Sequence, residues 1–142
     1  MARGQSDNTS TVEIKRLKSI LNLIRIDAER LYIRIKERRN EYLRIFSAER
    51  TRSQFHEIFR FRFYEIPSHD LLQISEETYT SIEDFFNTIE NLSWYLNHTQ
   101  ELPGTVAETV DRYISSIDNK YVLLQSYLKA EYSTYEDNFE NS

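Results

Sequence analysis

A chain of 142 residues has room for one domain with a real core, since roughly 68–70% of the unfolded surface is buried at that size. It has no cysteine, which leaves out disulfide frameworks and thiolate zinc sites. Two glycines and two prolines are too few for the turns of sandwiches, barrels or phosphate-cradling loops. The net charge of −5 conceals a split: residues 1–64 hold 15 Lys and Arg against 8 Asp and Glu, whereas residues 65–142 hold 3 against 15.

Residues 1–10, MARGQSDNTS, are polar without an apolar core, and no run approaches eighteen apolar residues. The expectation is a disordered tail with no secretion signal and no membrane span, hence a cytoplasmic protein. Asn8, Asn91 and Asn97 each head an N-x-[ST] triplet, read as chance matches when no export signal accompanies them.

The first strong pattern starts at a cap at Ser10 or Thr11. Ile14, Leu17, Leu21, Ile24, Ala28, Leu31, Ile35, Arg38, Tyr42 and Ile45 follow at alternating steps of three and four. This spacing predicts a long amphipathic, coiled-coil-like helix to about Phe46. Ile20, Leu23, Ile26 and Ile33 widen its apolar face enough to meet two neighbours. The period lapses over 47–54, and a helix unbroken to Tyr64 would be about 80 Å long at 1.5 Å per residue. A bend or restart is therefore expected near 47–53. Phe55 to Ile66 (FHEIFRFRFYEI) fits a short fourth helix over about 53–62, the alternative being a small hairpin within 58–74.

Pro67 ends that segment. Ser75, followed by Glu76 and Glu77, predicts the start of a helix carrying Tyr79, Ile82, Phe86, Ile89, Leu92 and Leu96. After a loop over 97–104, Thr105 and Glu108 have capping-box spacing and open a third long helix with Val110, Tyr113, Ile117, Leu124 and Leu128 on its seam. Residues 136–142 read as a polar tail. The fold expected is all-α: one antiparallel bundle of three long helices over 11–135, with the basic first segment lying along the acidic second and third.

Chemistry-bearing motifs are sparse. No Glu has a His three residues on, and His56-Glu57 lacks the second His of HExxH, so neither a metal nor any other cofactor is expected. Arg50 and His56 form an Arg-x5-His pair that resembles, in spacing, the signature of the HEPN ribonucleases, themselves small helical bundles. The resemblance implies His56 as general acid or base at a phosphate held by Arg50. It covers two residues, and Thr51 stands where that family commonly has Asn, Asp or His. The simpler reading, a solvated arginine and a helix-end histidine, is carried forward, and no enzyme is expected.

Three interaction readings remain. The leading one is a non-enzymatic protein-interaction or regulatory module that self-associates through the first helix, with Ile24, Leu31, Ile35 and Tyr42 as anchors of a homodimer. A nucleic-acid-binding protein is the alternative, with Arg34, Arg38, Arg39, Arg50, Arg52, Arg60 and Arg62 as contacts. Glutamates interleaved among these arginines also suit a solvated face. The third reading has the acidic half occupy a basic cleft of a partner protein.

Overall fold

The computed structural model describes residues 2–48 and 52–140, with side-chain surroundings for 11–48 and 52–136. Among them the chain is all-α and has no strand. The helices are α1 (Ala2–Glu37), α2 (Arg39–Ser47), α3 (Phe55–Phe59), α4 (Ser68–Leu71), α5 (Glu76–His98) and α6 (Pro103–Glu140), with 3-10 turns at Arg52–Gln54 and Phe63–Glu65. The three long helices expected from periodicity are thus corrected to two long ones, α1 of 36 and α6 of 38 residues, a shorter α5 of 23, and three small pieces. α1 begins upstream of the Ser10–Thr11 cap. α6 begins at Pro103, whose missing N–H costs nothing in a first turn, two residues before the Thr105 box.

Directions follow from side-chain pairs. Tyr95 meets Tyr113, Phe85 meets Tyr121, and Glu131 reaches Ser75, so α5 and α6 run antiparallel. Arg39 pairs with Asp111, Lys36 with Asp118, and Lys18 with Glu136, so α1 is antiparallel to α6 as well. The ring of Tyr32 on α1 lies flat on Tyr121 of α6, centroids 3.9 Å apart. α6 is therefore the strut that both other helices share.

One contiguous core fills the space between them. Ile24, Ala28, Leu31 and Ile35 of α1 are wholly covered, as are Ile82, Phe85, Phe86 and Ile89 of α5 and Val110, Ile117 and Leu124 of α6. Each large aliphatic side chain so buried stabilises the fold by about 1.5–3 kcal/mol before chain entropy is counted. Glu131, itself buried, accepts hydrogen bonds from the Ser75 amide and hydroxyl and from Tyr135. A carboxylate from α6 thereby satisfies a free donor at the start of α5, where the helix dipole also favours negative charge.

The first helix breaks earlier than the sequence suggests. At Arg38 the backbone sits at φ −96°, ψ 13°, and the Tyr42 hydroxyl donates 3.0 Å to the Ile35 carbonyl. The interruption is one residue long, since the Arg38 amide still donates to Arg34 and the Tyr42 amide to Arg38. α2 then ends at Ser47, in the stretch where a restart was expected. The fourth helix of 53–62 shrinks to Phe55–Phe59, because Arg60 is extended at φ −71°, ψ 145°. Neither a helix to Arg62 nor a hairpin across 58–74 forms. Two short turns place Phe55, Phe59 and Phe63 in the core instead, with Phe63 stacked on Phe86 at 4.9 Å.

Tyr42 is fully covered, and burial raises its phenol above the ordinary value, so the hydroxyl stays a donor. Tyr42→Phe leaves the Ile35 carbonyl without that partner and is expected to lower stability by about 1–2 kcal/mol. Urea unfolding of the two proteins measures it.

Candidate functional site

A basic groove lies where α1 passes the irregular 60–65 segment. It encloses about 610 Å³ and is lined by Arg30, Arg34, His56, Arg60 and Arg62, with Asp27 and Glu65 among them. Arg34 donates through Nε to the Ile58 carbonyl at 3.2 Å and through Nη2 to the Arg60 carbonyl. It thus closes the C-terminal end of α3, where free carbonyls favour a cation. Asp27 accepts from the Arg62 amide at 2.8 Å and holds the next turn in place. These three bonds tie a segment with little regular structure to α1.

The electrostatics are those of crowded like charges. Burial, and then the guanidiniums of Arg60, Arg38 and Arg30, pull Arg34 below its ordinary value, with Asp27 opposing them. Half-burial raises Asp27 above the usual carboxylate value despite the amides of Arg62 and Phe63 and the nearby arginines. Arg62 pairs with Glu65 at 3.0 Å. Arg30 and Arg60 have no ion-pair partner among the described residues, and both are exposed.

A second groove, of about 590 Å³, shares His56, Arg60 and Phe61 with the first and is walled by Tyr64, Trp94 and His98. Phe61 packs on Phe86 and Tyr64. Trp94 is 65% exposed, its indole stacked 4.5 Å from the His98 ring one turn on. The Tyr64 hydroxyl donates to Asn87 at 3.2 Å; partial burial and the Glu90 carboxylate push its phenol up to about 12. The arginines and the exposed rings therefore form one continuous surface.

The residues marked in the sequence are distributed unevenly. Arg34, Arg60 and Arg62 meet at the groove. Arg38 turns to Glu41, Arg39 forks onto Asp111, and Arg52 donates to the Asn97 carbonyl with its guanidinium 5.2 Å above the Phe46 ring. Those three are spent on the fold. Arg50 and Thr51 lie outside the described residues, so the Arg50–His56 spacing gains no geometry. His56 and His98 share the aromatic groove while His69 sits apart on α4, and no group of three metal-ligating side chains occurs among the described residues. Nor is any helix there long and apolar enough to cross a membrane.

Ile24, Leu31, Ile35 and Tyr42, read as anchors between chains, are instead covered inside one chain. α6 and α3 occupy the face that a second copy was to fill, and Tyr42 lies against Phe59. Arg30, which steps by four with Arg34 and Arg38 in the sequence, does reach the groove, whereas sequence reasoning missed Phe61, Tyr64, Trp94 and His98 as parts of the same surface. Trp94 carried a signal, since it falls off the apolar seam of its own helix.

No protein family, curated protein or solved structure matches this chain.

The Arg39–Asp111 fork serves as a control for the groove. Its two bonds, 2.6 and 2.9 Å, hold the Asp111 carboxyl below its usual 3.8. A lowered carboxyl stabilises above 3.8 and loses that contribution as pH falls through its folded value. Asp111→Asn is expected to cost up to about 1 kcal/mol at neutral pH, as surface pairs do, and nothing in acid below that folded value. Urea unfolding in the two conditions checks the sign.

Proposed function

We propose that this chain is a non-enzymatic protein-interaction module that takes an acidic segment of a partner protein into the groove at Arg30, Arg34, Arg60 and Arg62. The scaffold reading that accompanies it is an antiparallel helical bundle whose first helix runs coiled-coil-like along α6. The observation that carries the proposal is the convergence of Arg30 and Arg60, which have no ion-pair partner among the described residues, with exposed Tyr64 and Trp94 beside Arg34 and Arg62. Arg, Tyr and Trp are the residue types that concentrate energy at interfaces, and planar guanidiniums fit carboxylates two bonds at a time. The groove floor is held by Arg34 and Asp27, so little ordering is required when a partner arrives.

Self-association follows the same chemistry: the occupant is then the acidic outer face of a second copy, which bears exposed Glu76 and Glu77 on α5. This is a head-to-tail contact, unlike a dimer closed by α1. A second reading, single-stranded nucleic acid, is favoured by the open indole and phenol beside the arginines, since bases stack on such rings while phosphates meet cations.

Fluorescence anisotropy separates these readings. A labelled glutamate-rich peptide is expected to bind at low salt and to weaken by at least about tenfold, or 1.4 kcal/mol, in Arg30→Glu/Arg60→Glu, while Arg39→Ala leaves binding unchanged. Tighter binding of a thymidine oligonucleotide moves the assignment to nucleic acid, and RNA cleavage that depends on His56 returns it to an enzyme. Failure of both probes to bind ends the groove reading. Light scattering across concentration tests for a second copy.

A further inference from the structure

We infer that the occupant of the basic groove is an extended peptide that carries an apolar side chain about three residues ahead of its carboxylates. This deepens the interaction reading above and rests on it. The observation is a third groove, of about 340 Å³, on the other side of Arg30 and Arg62. Leu23, Ile26, Ile66 and Pro67 line it, and buried Ile20 and Ile24 form its floor. It shares Asp27, Arg30, Arg62 and Glu65 with the basic groove. The two therefore open onto one another across the same arginines.

The charges at that junction favour an anion on the arginine side. Asp27 is engaged by the Arg62 amide, Glu65 by Arg62, and Asp70 by Arg16 at 2.9 Å. Arg30, which stands between the two grooves, has no such partner among the described residues. Leu23 is 60% exposed although it lies one turn from Ile20, Ile26 and Asp27. Its side chain and Ile66 make an apolar slot that a single aliphatic residue can cover.

Spacing sets the length of the ligand. Leu23 and Arg30 are seven residues apart on α1, about 10.5 Å at 1.5 Å per residue, and an extended chain covers that in about three residues at ~3.3 Å each. Beyond Arg30 the surface continues past Arg34 and Arg60 to Trp94. This is longer than one head group needs, which argues for a peptide over a small amphiphile. Apolar contact at one end and guanidinium forks at the other also fix the direction in which the chain lies.

The test uses the full chain and three fluorescein-labelled peptides: one with a leucine three residues ahead of three glutamates, one with serine for that leucine, and one with glutamines for the glutamates. On the unmodified protein, replacing leucine by serine is expected to weaken binding about tenfold, the order of one buried aliphatic side chain. The glutamine peptide is expected to lose most of its affinity. Leu23→Ser, an exposed site whose circular dichroism should not change, removes the preference for leucine and leaves the serine peptide where it was. Arg30→Glu weakens both glutamate peptides. Equal binding of the leucine and serine peptides overturns this inference while the basic-groove reading stands. Failure of both glutamate peptides to bind overturns the two together. Displacement of a bound peptide by a fifteen-residue thymidine oligonucleotide of higher affinity assigns the groove to nucleic acid instead.

Discussion

Everything in this molecule depends on how α1 disposes of its apolar stripe. Leu21, Ile24, Ala28, Leu31 and Ile35 are covered by the chain's own α6 and by the segment after α2. A stripe of that strength, left open, would drive association between copies. Spent internally, it leaves the long helix as a scaffold, and the surface available to a partner is then decided by what flanks the stripe: Leu23 and Ile26 on one edge, Arg30 and Arg34 further along.

The irregular middle of the chain is held by side chains acting on backbone. Arg34 closes α3, Asp27 receives the Arg62 amide, Arg52 reaches the end of α5, and Arg16 forks onto buried Asp70. Short helical pieces have too few internal hydrogen bonds to be stable alone, and these contacts supply the missing partners. The same contacts bring Arg60 and Arg62 up against α1. A basic groove is thus a by-product of how the middle segment is anchored to α1.

The charge split has a structural outlet. Lys18–Glu136, Lys36–Asp118 and Arg39–Asp111 run between the basic first helix and the acidic last one, and Lys120–Asp84 joins α6 to α5. Exposed pairs of this kind add little stability each, but like charges would repel in the wrong alignment, so together they favour one register. Among the described residues of the basic half they leave Lys15, Arg30, Arg44 and Arg60 without an ion pair, and of these Arg30 and Arg60 are the two that line the groove beside Arg34.

The all-α class, the apolar faces of α1, α5 and α6, and the start of α5 at Ser75 were legible in the sequence, because each rests on a local period of three and four or on a capping residue. The stripe Ile24–Leu31–Ile35 was also legible as a face to be covered. Its partner was not, since burial is the same free energy whether the cover comes from one chain or two. The interruption at Arg38 escaped notice because the apolar period runs through it unbroken from Ile35 to Tyr42. The groove was half visible: an excess of arginine could be counted, yet which of Arg34, Arg38, Arg39, Arg52, Arg60 and Arg62 stay free is a matter of who stands opposite them. Local pattern alone determined helices and faces; only tertiary packing, which pairs residues from 24 to 86 positions apart, decided how most of the charges were consumed and which were left to meet a partner.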